Sequence, residues 1–181
     1  ATAKRFCEDL LKYCGAINKP MTHFFINCRI KNTEYGVVLQ MLRSFDPGFP
    51  ERGFSAEEML SSLKKHIEGG SRPFVIVLDE VDMLLKGINK DLVYQLSRIS
   101  DEMRSGSSVS LIMISQEPII EMLDTASLSS FKRANVVRFE RYKKDELKDI
   151  VKARSEEALM PNVMDDDVAD LLADIGKGYG D

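Results

Sequence analysis

Apolar positions along this chain alternate between two rhythms. Residues 3–14 place Phe6, Leu10, Leu11 and Cys14 on one helical stripe. Thr22–Cys28, entered after Pro20 and centred on Phe24-Phe25-Ile26, reads as a strand. Helical spacing returns over 34–45 at Val38, Leu39, Leu42 and Phe45, and the Pro/Gly-rich run from Asp46 to Phe54 is a loop. Ser55 and Glu58 form a capping box that opens a helix through Ile67, which Gly69-Gly70 closes. Pro73 then introduces Phe74-Val-Ile-Val-Leu78, five apolar residues without alternation, the signature of a strand buried on both faces of a parallel sheet. Residues 89–104 form an amphipathic helix with Leu92, Val93, Leu96, Ile99 and Met103 facing the core, and Ser105-Gly106-Ser107 ends it. Val109–Ser115 reads as a second buried strand, followed by a short helix at Ile119–Leu123 and a short strand at Val136–Phe139. Helices at 143–158 and 165–175, the latter capped by Asp165 or a neighbour, complete the chain. Strands alternating with helices predict an α/β fold, a parallel sheet layered with helices. A break near Tyr142 divides 1–142 from an all-helical 143–181.

Composition narrows the picture. The 181 residues fit one domain, or one domain and the start of a second, and 44% apolar content is ordinary for a globular core. No apolar run approaches the roughly 20 residues needed to cross a bilayer, and the amino end carries no secretory h-region, so no membrane partner and a cytoplasmic location are expected. Three cysteines without a Cys-x-x-Cys pair argue against a disulfide framework and a zinc site. Cys7 and Cys14, seven apart, share a helical face as small core residues; His23 and His66 have no ligand-spaced partners. Residues 132–154 hold nine Lys/Arg against four Asp/Glu, and residues 155–181 hold eight acids and one lysine. The basic stretch reads first as a solvated helix face and second as a phosphate contact.

The candidate chemistry lies at the end of the apolar strand, where Asp79 and Glu80 follow Leu78 directly. In open α/β sheets, ligands gather beyond the carboxyl ends of the strands. There Asp79 can hold a hydrated magnesium ion and Glu80 can orient or deprotonate a water, the Walker B pattern of a nucleotide triphosphatase. Asp82 reads as structural, a cap for the following turn.

In order, Asn27-Cys28-Arg29 with Tyr35, Gly53-Phe54-Ser55, Leu78-Asp79-Glu80-Val81-Asp82, Leu96-Ser97-Arg98-Ile99, Ser129-Ser130-Phe131, Phe139-Glu140-Arg141-Tyr142 and Glu146-Leu147 with Ile150 and Arg154 resemble the AAA+ domain of archaeal replication initiators. That is the family of the origin recognition complex large subunit and cell division control protein 6. The resemblance implies a three-layer P-loop NTPase fold with the start of a helical lid, ATP or ADP and Mg2+ as cofactors, and a purpose in marking origins and loading the replicative helicase. Its implied partners are origin double-stranded DNA, other initiator subunits and the helicase. By the same resemblance Gln116 stands at a polar sensor position, Ala126 at the place of an arginine finger with Lys132 and Arg133 nearby, and Tyr142 and Ile150 near the adenine. Arg43 and Arg52 flank a loop of the DNA-contacting insertion, although two arginines and a net charge of −4 predict weak duplex binding by this stretch alone.

No G-x-x-x-x-G-K-[S/T] phosphate loop occurs among the 181 residues, and Gly180-Asp181 falls where the family continues into an arginine-bearing helix. In the family the loop and a central strand precede the helix that opens this chain, so upstream residues are expected; without that strand, Val136–Phe139 loses its neighbour. Two alternatives stay open: a non-hydrolysing DNA-binding scaffold of this fold, and an AAA+ or signalling ATPase unconnected with replication.

Overall fold

Three parallel strands, β1 (Thr22–Asn27), β2 (Pro73–Asp79) and β3 (Ser108–Met113), lie in the order β1-β2-β3 in the computed structural model. It describes residues 2–87, 91–103, 107–123, 136–160 and 163–179, which divide into two units, 1–133 and 134–181. Among the described residues, the α-helices of the first unit are α1 (Thr2–Ala16), α2 (Glu34–Phe45), α3 (Ala56–Gly70), α4 (Val81–Leu85) and α5 (Asp91–Glu102).

β2 is the keel. Its alternate residues feed two cores, because successive side chains of a strand point to opposite faces. Phe74, Ile76 and Leu78 join Phe24 and Ile26 of β1 and the apolar faces of α2, α3 and α5 on one side. Val75 and Val77 join Cys7, Leu10, Leu11 and Cys14 of α1, with Phe25 and Ile112, on the other. Helices on both faces of a parallel sheet give the three layers.

Local signals set most boundaries. Thr33 caps α2 by accepting from the Gly36 N–H, and the Ser55–Glu58 capping box is complete: Ser55 Oγ accepts from Glu58 N–H at 3.1 Å, and Glu58 Oε2 from Ser55 N–H at 2.7 Å. α3 runs through Gly69 and Gly70 rather than stopping at Ile67, and ends where Ser71 turns left-handed at φ 45°. Gly70 is required by packing, since a Cβ there would lie 2.9 Å from Cζ of Phe74. The helix expected over 89–104 spans Asp91–Glu102; residues 89–90 and 104–106 lie outside the described residues. That expected at Ile119–Leu123 is a single 3-10 turn, Ile119–Glu121.

Other expectations need correction. Phe6 is half exposed and Cys7 takes its place in the core. The stripe that fits the sheet is Ala3, Cys7, Leu10 and Cys14, and Phe6 sits about 100° away around the helix. β3 is half-buried rather than buried: Ser108 and Ser110 alternate with its apolar residues, and β2 is its one paired neighbour among the described residues. Residues 136–139 form no strand, and Val137 and Phe139 are exposed. Backbone groups need a partner strand to form a ladder.

In the second unit, α6 (Lys144–Ala158) and α7 (Asp166–Tyr179) pack antiparallel through the buried Ala169 and Ala173, small residues that permit close approach. Asp165 caps α7, its Oδ1 accepting from Val168 N–H at 2.9 Å. The basic and acidic stretches meet here. Lys144 contacts Asp170 and Asp174, both at 2.7 Å; Lys148 contacts Asp166 at 2.7 Å, and Lys152 also reaches Asp166. Lysines four apart thus face aspartates four apart, so these three lysines of the basic stretch are partnered rather than merely solvated. Hydrogen bonds from Lys148 and then Lys152 lower the Asp166 pKa from 3.8 to about 2. A carboxylate depressed in the folded state contributes stability above its unfolded pKa and loses it as pH falls through its folded one. The thermal midpoint of the helical signal is therefore expected to fall as pH drops from 3.8 towards about 2, with Asp166→Asn flattening that limb in circular dichroism melts.

Candidate functional site

Parallel pairing places the carboxyl ends of all three strands on one rim, with Asn27 in register with Asp79 and Met113 beside Leu78. α1 reaches the same rim. Its 15 residues span about 22 Å, close to the roughly 20 Å of the six-residue β1, and residues 17–21 reverse the chain between them. Lys4 Nζ consequently lies 5.1 Å from the Phe25 ring, and Ala3 packs in the cluster that holds Ile114. Helix amino ends carry unpaired N–H groups and positive potential, so anions are favoured there.

Asp79 ends β2, half-buried, and its carboxylate has no hydrogen bond or ion pair among the described residues. Its carbonyl accepts from Cys28 N–H at 2.7 Å, which ties the two rims together. Glu80 adopts φ 53°, ψ 46°. This left-handed conformation is uncommon outside glycine and costs on the order of 1–3 kcal/mol, so surrounding contacts must hold it. It turns the chain sharply from β2 into α4, where Val81 N–H donates to the Ile114 carbonyl at 3.0 Å. Arg29 Nη1 stands 3.7 Å from Glu80 Oε2, presented by a turn in which Asn27 Oδ1 accepts from the Arg29 and Ile30 N–H groups.

Asp82 is 8% exposed. It does not cap α4 as expected; Ser115 Oγ donates to its Oδ1 at 3.0 Å. Ser115 escaped the sequence reasoning, although a serine at the end of β3, two residues past the partner of Leu78, is the signal that could have found it. Gln116 follows, exposed, at the same rim. Between these groups Cys28 is fully buried, and its thiol is pushed up to about 12 by burial and then by the charges of Asp79, Asp82 and Glu80. Burial is the larger cause, and the thiol stays protonated.

No group of three or more His, Cys, Asp or Glu clusters among the described residues. Magnesium needs no such cluster, since it keeps several waters and is bound by one or two carboxylates together with phosphates. Asp79, an acceptor left free at the rim, is the residue that suits it.

The remaining candidates separate. Arg43 braces the 46–54 loop, its Nε donating to the Phe49 carbonyl at 3.2 Å and its Nη2 lying 3.7 Å from Glu51, while the Tyr35 hydroxyl donates to the Glu51 carbonyl. Arg52 is exposed and unpaired among the described residues. Tyr142 and Ile150 belong to the second unit, the former exposed ahead of α6 and the latter on α6. Ala126, Ser129, Ser130, Phe131, Lys132 and Arg133 lie outside the described residues.

A buried central parallel strand that ends in Asp-Glu, layered by helices with an opening helix aimed at the same rim, defines an AAA+ core. The chain is 36% identical, over a 186-residue alignment covering 99% of it, to the ORC1-type DNA replication proteins of Thermococcus kodakarensis and Pyrococcus horikoshii. The solved Aeropyrum pernix ORC1 protein in complex with DNA matches 91% of the chain at 30% identity and a TM-score of 0.79. The ORC2 protein of that organism, solved as ADPNP-ADP complexes, shares the fold at a TM-score of 0.81 and 19% identity. No family model matches the chain. The chain belongs to the ORC1-type DNA replication proteins, and it spans 44% of the length of the curated relatives named here. Among the described residues, no helix is long and apolar enough to cross a membrane.

Proposed function

We propose that this chain is the ATP-binding core of a cytoplasmic DNA replication initiator and, in the full-length protein, part of a magnesium-dependent ATPase. The observation that carries this reading is the Asp79-Glu80 pair at the carboxyl rim of β2, on the side of the sheet reached by the amino end of α1. Bound magnesium-ATP would bring a phosphoryl group made electrophilic by the metal. Asp79 would hold the ion, directly or through its waters. Glu80 would accept the proton of the attacking water, and its ion pair with Arg29 holds the carboxylate at the rim. The Gln116 amide, at the end of the neighbouring strand, can hydrogen-bond a phosphate oxygen or that water. The resemblance assigns adenine contact to Tyr142 and Ile150, and it makes the replicative helicase and other initiator subunits the partners.

Origin duplex DNA is the proposed nucleic-acid partner, since a 30%-identical relative was solved with DNA. Arg52 is the arginine of the loop free to meet a phosphate, whereas Arg43 is engaged in bracing it. The non-hydrolysing reading is motivated by Ala126 at the finger position. Equilibrium binding and single-turnover hydrolysis by the full-length protein test the proposal. ATP is expected to bind tightly with Mg2+ and to be hydrolysed slowly; binding without turnover would favour the scaffold, and no binding would end the nucleotide reading.

A further inference from the structure

We infer that Ser115 and Asp82 are positioning residues, whose hydrogen bond locks the turn carrying Asp79 and Glu80 to the turn carrying Gln116. This rests on the nucleotide reading above and adds a device that makes its two turns act as one.

The two groups meet from 33 positions apart. Ser115 Oγ donates to Asp82 Oδ1 at 3.0 Å and also accepts from Glu117 N–H at 3.0 Å, so one hydroxyl fixes the backbone on both sides of Gln116. Lys86 spans the same two turns, 2.7 Å from Glu117 Oε1 and 3.9 Å from Asp82 Oδ2. Beneath them, Ile114 N–H donates to the Leu78 carbonyl at 2.9 Å and Val81 N–H to the Ile114 carbonyl at 3.0 Å. A carboxylate as buried as Asp82 is costly unless it is hydrogen-bonded, so its place depends on Ser115. Glu80, two residues away, holds a conformation that persists only where its surroundings over-determine it. Loosening the lock therefore releases both the base and the amide.

The test uses the full-length protein with Ser115→Ala and Ser115→Thr, the latter keeping the hydroxyl. The first readout is backbone amide exchange over 79–82 and 114–117 without nucleotide, where Ser115→Ala is expected to speed exchange in both segments and Ser115→Thr to restore protection. The second is the affinity for a fluorescent ADP analogue, expected to change by less than about twofold, beside a single-turnover rate constant for Mg-ATP about tenfold lower in Ser115→Ala. A rate constant for bound nucleotide does not depend on the folded fraction, so a merely structural loss would leave it unmoved. Faster exchange confined to 114–117, or an unchanged rate constant in a turnover-competent protein, overturns the inference. If the wild type fails to bind Mg-ATP, the nucleotide reading falls; the exchange pattern then still decides whether the turns are locked, and the catalytic half of the inference falls with that reading.

Discussion

Glu80→Gln is expected to leave ATP binding in place while lowering hydrolysis about 100- to 10,000-fold, the range over which a positioned general base acts. The asymmetry follows from where Glu80 stands. In the proposed site its neighbour Asp79 would take the metal, whereas Glu80 sits past the strand's end, about a third exposed and paired with Arg29 at 3.7 Å. Glutamine keeps the shape and loses the basicity, so the ground-state contacts to nucleotide survive. Single-turnover hydrolysis beside equilibrium ATP binding by the full-length protein checks this. Turnover at the wild-type rate would remove Glu80 as the base, and joint loss of binding and turnover would assign it to nucleotide or metal binding instead.

Phe74→Ala is expected to destabilise the protein by about 3–5 kcal/mol, as deletion of a fully buried aromatic does. Phe74 has no exposed surface, and its ring stacks on Phe24 at 6.1 Å and tilts against Phe45 at 6.0 Å. Three elements lose a common partner at once, and the close fit against Gly70 leaves little room for collapse. The urea midpoint followed by circular dichroism measures the change. Phe6→Ala is the control: as a half-exposed residue it is expected to cost less than about 0.5 kcal/mol, typical of surface positions. Equal losses for the two would mean that the opening helix packs on a different face.

What could be read in the sequence was what short stretches decide for themselves. Ser55 and Glu58 cap α3 through bonds made within three residues, and Val38, Leu39, Leu42 and Phe45 carry the helical spacing of α2, so α2 and the start of α3 were legible. The apolar run of β2 and its terminal acids were legible because a strand buried on both faces admits no alternation. What depends on distant partners was not. The choice between Phe6 and Cys7 on α1 turns on which face meets the sheet, and periodicity alone tolerates both. Val136–Phe139 has the composition of a strand, yet a strand exists only as a pair. The lysines of α6 looked solvated because the aspartates opposite them lie 14–30 residues further along the chain. At the candidate site, Asp79, Glu80 and Gln116 were legible as strand-end groups; Ser115 was not, because its meaning comes from Asp82.

The central claim is that Asp79 faces a metal-bound triphosphate. Crystals of the full-length protein grown with a non-hydrolysable ATP analogue and Mn2+ in place of Mg2+ test it most directly, through the anomalous scattering of manganese. A peak bound to a carboxylate oxygen of Asp79, or one water away, is expected, with phosphates at the amino end of α1. Analogue bound with its ion nowhere near Asp79 would contradict it.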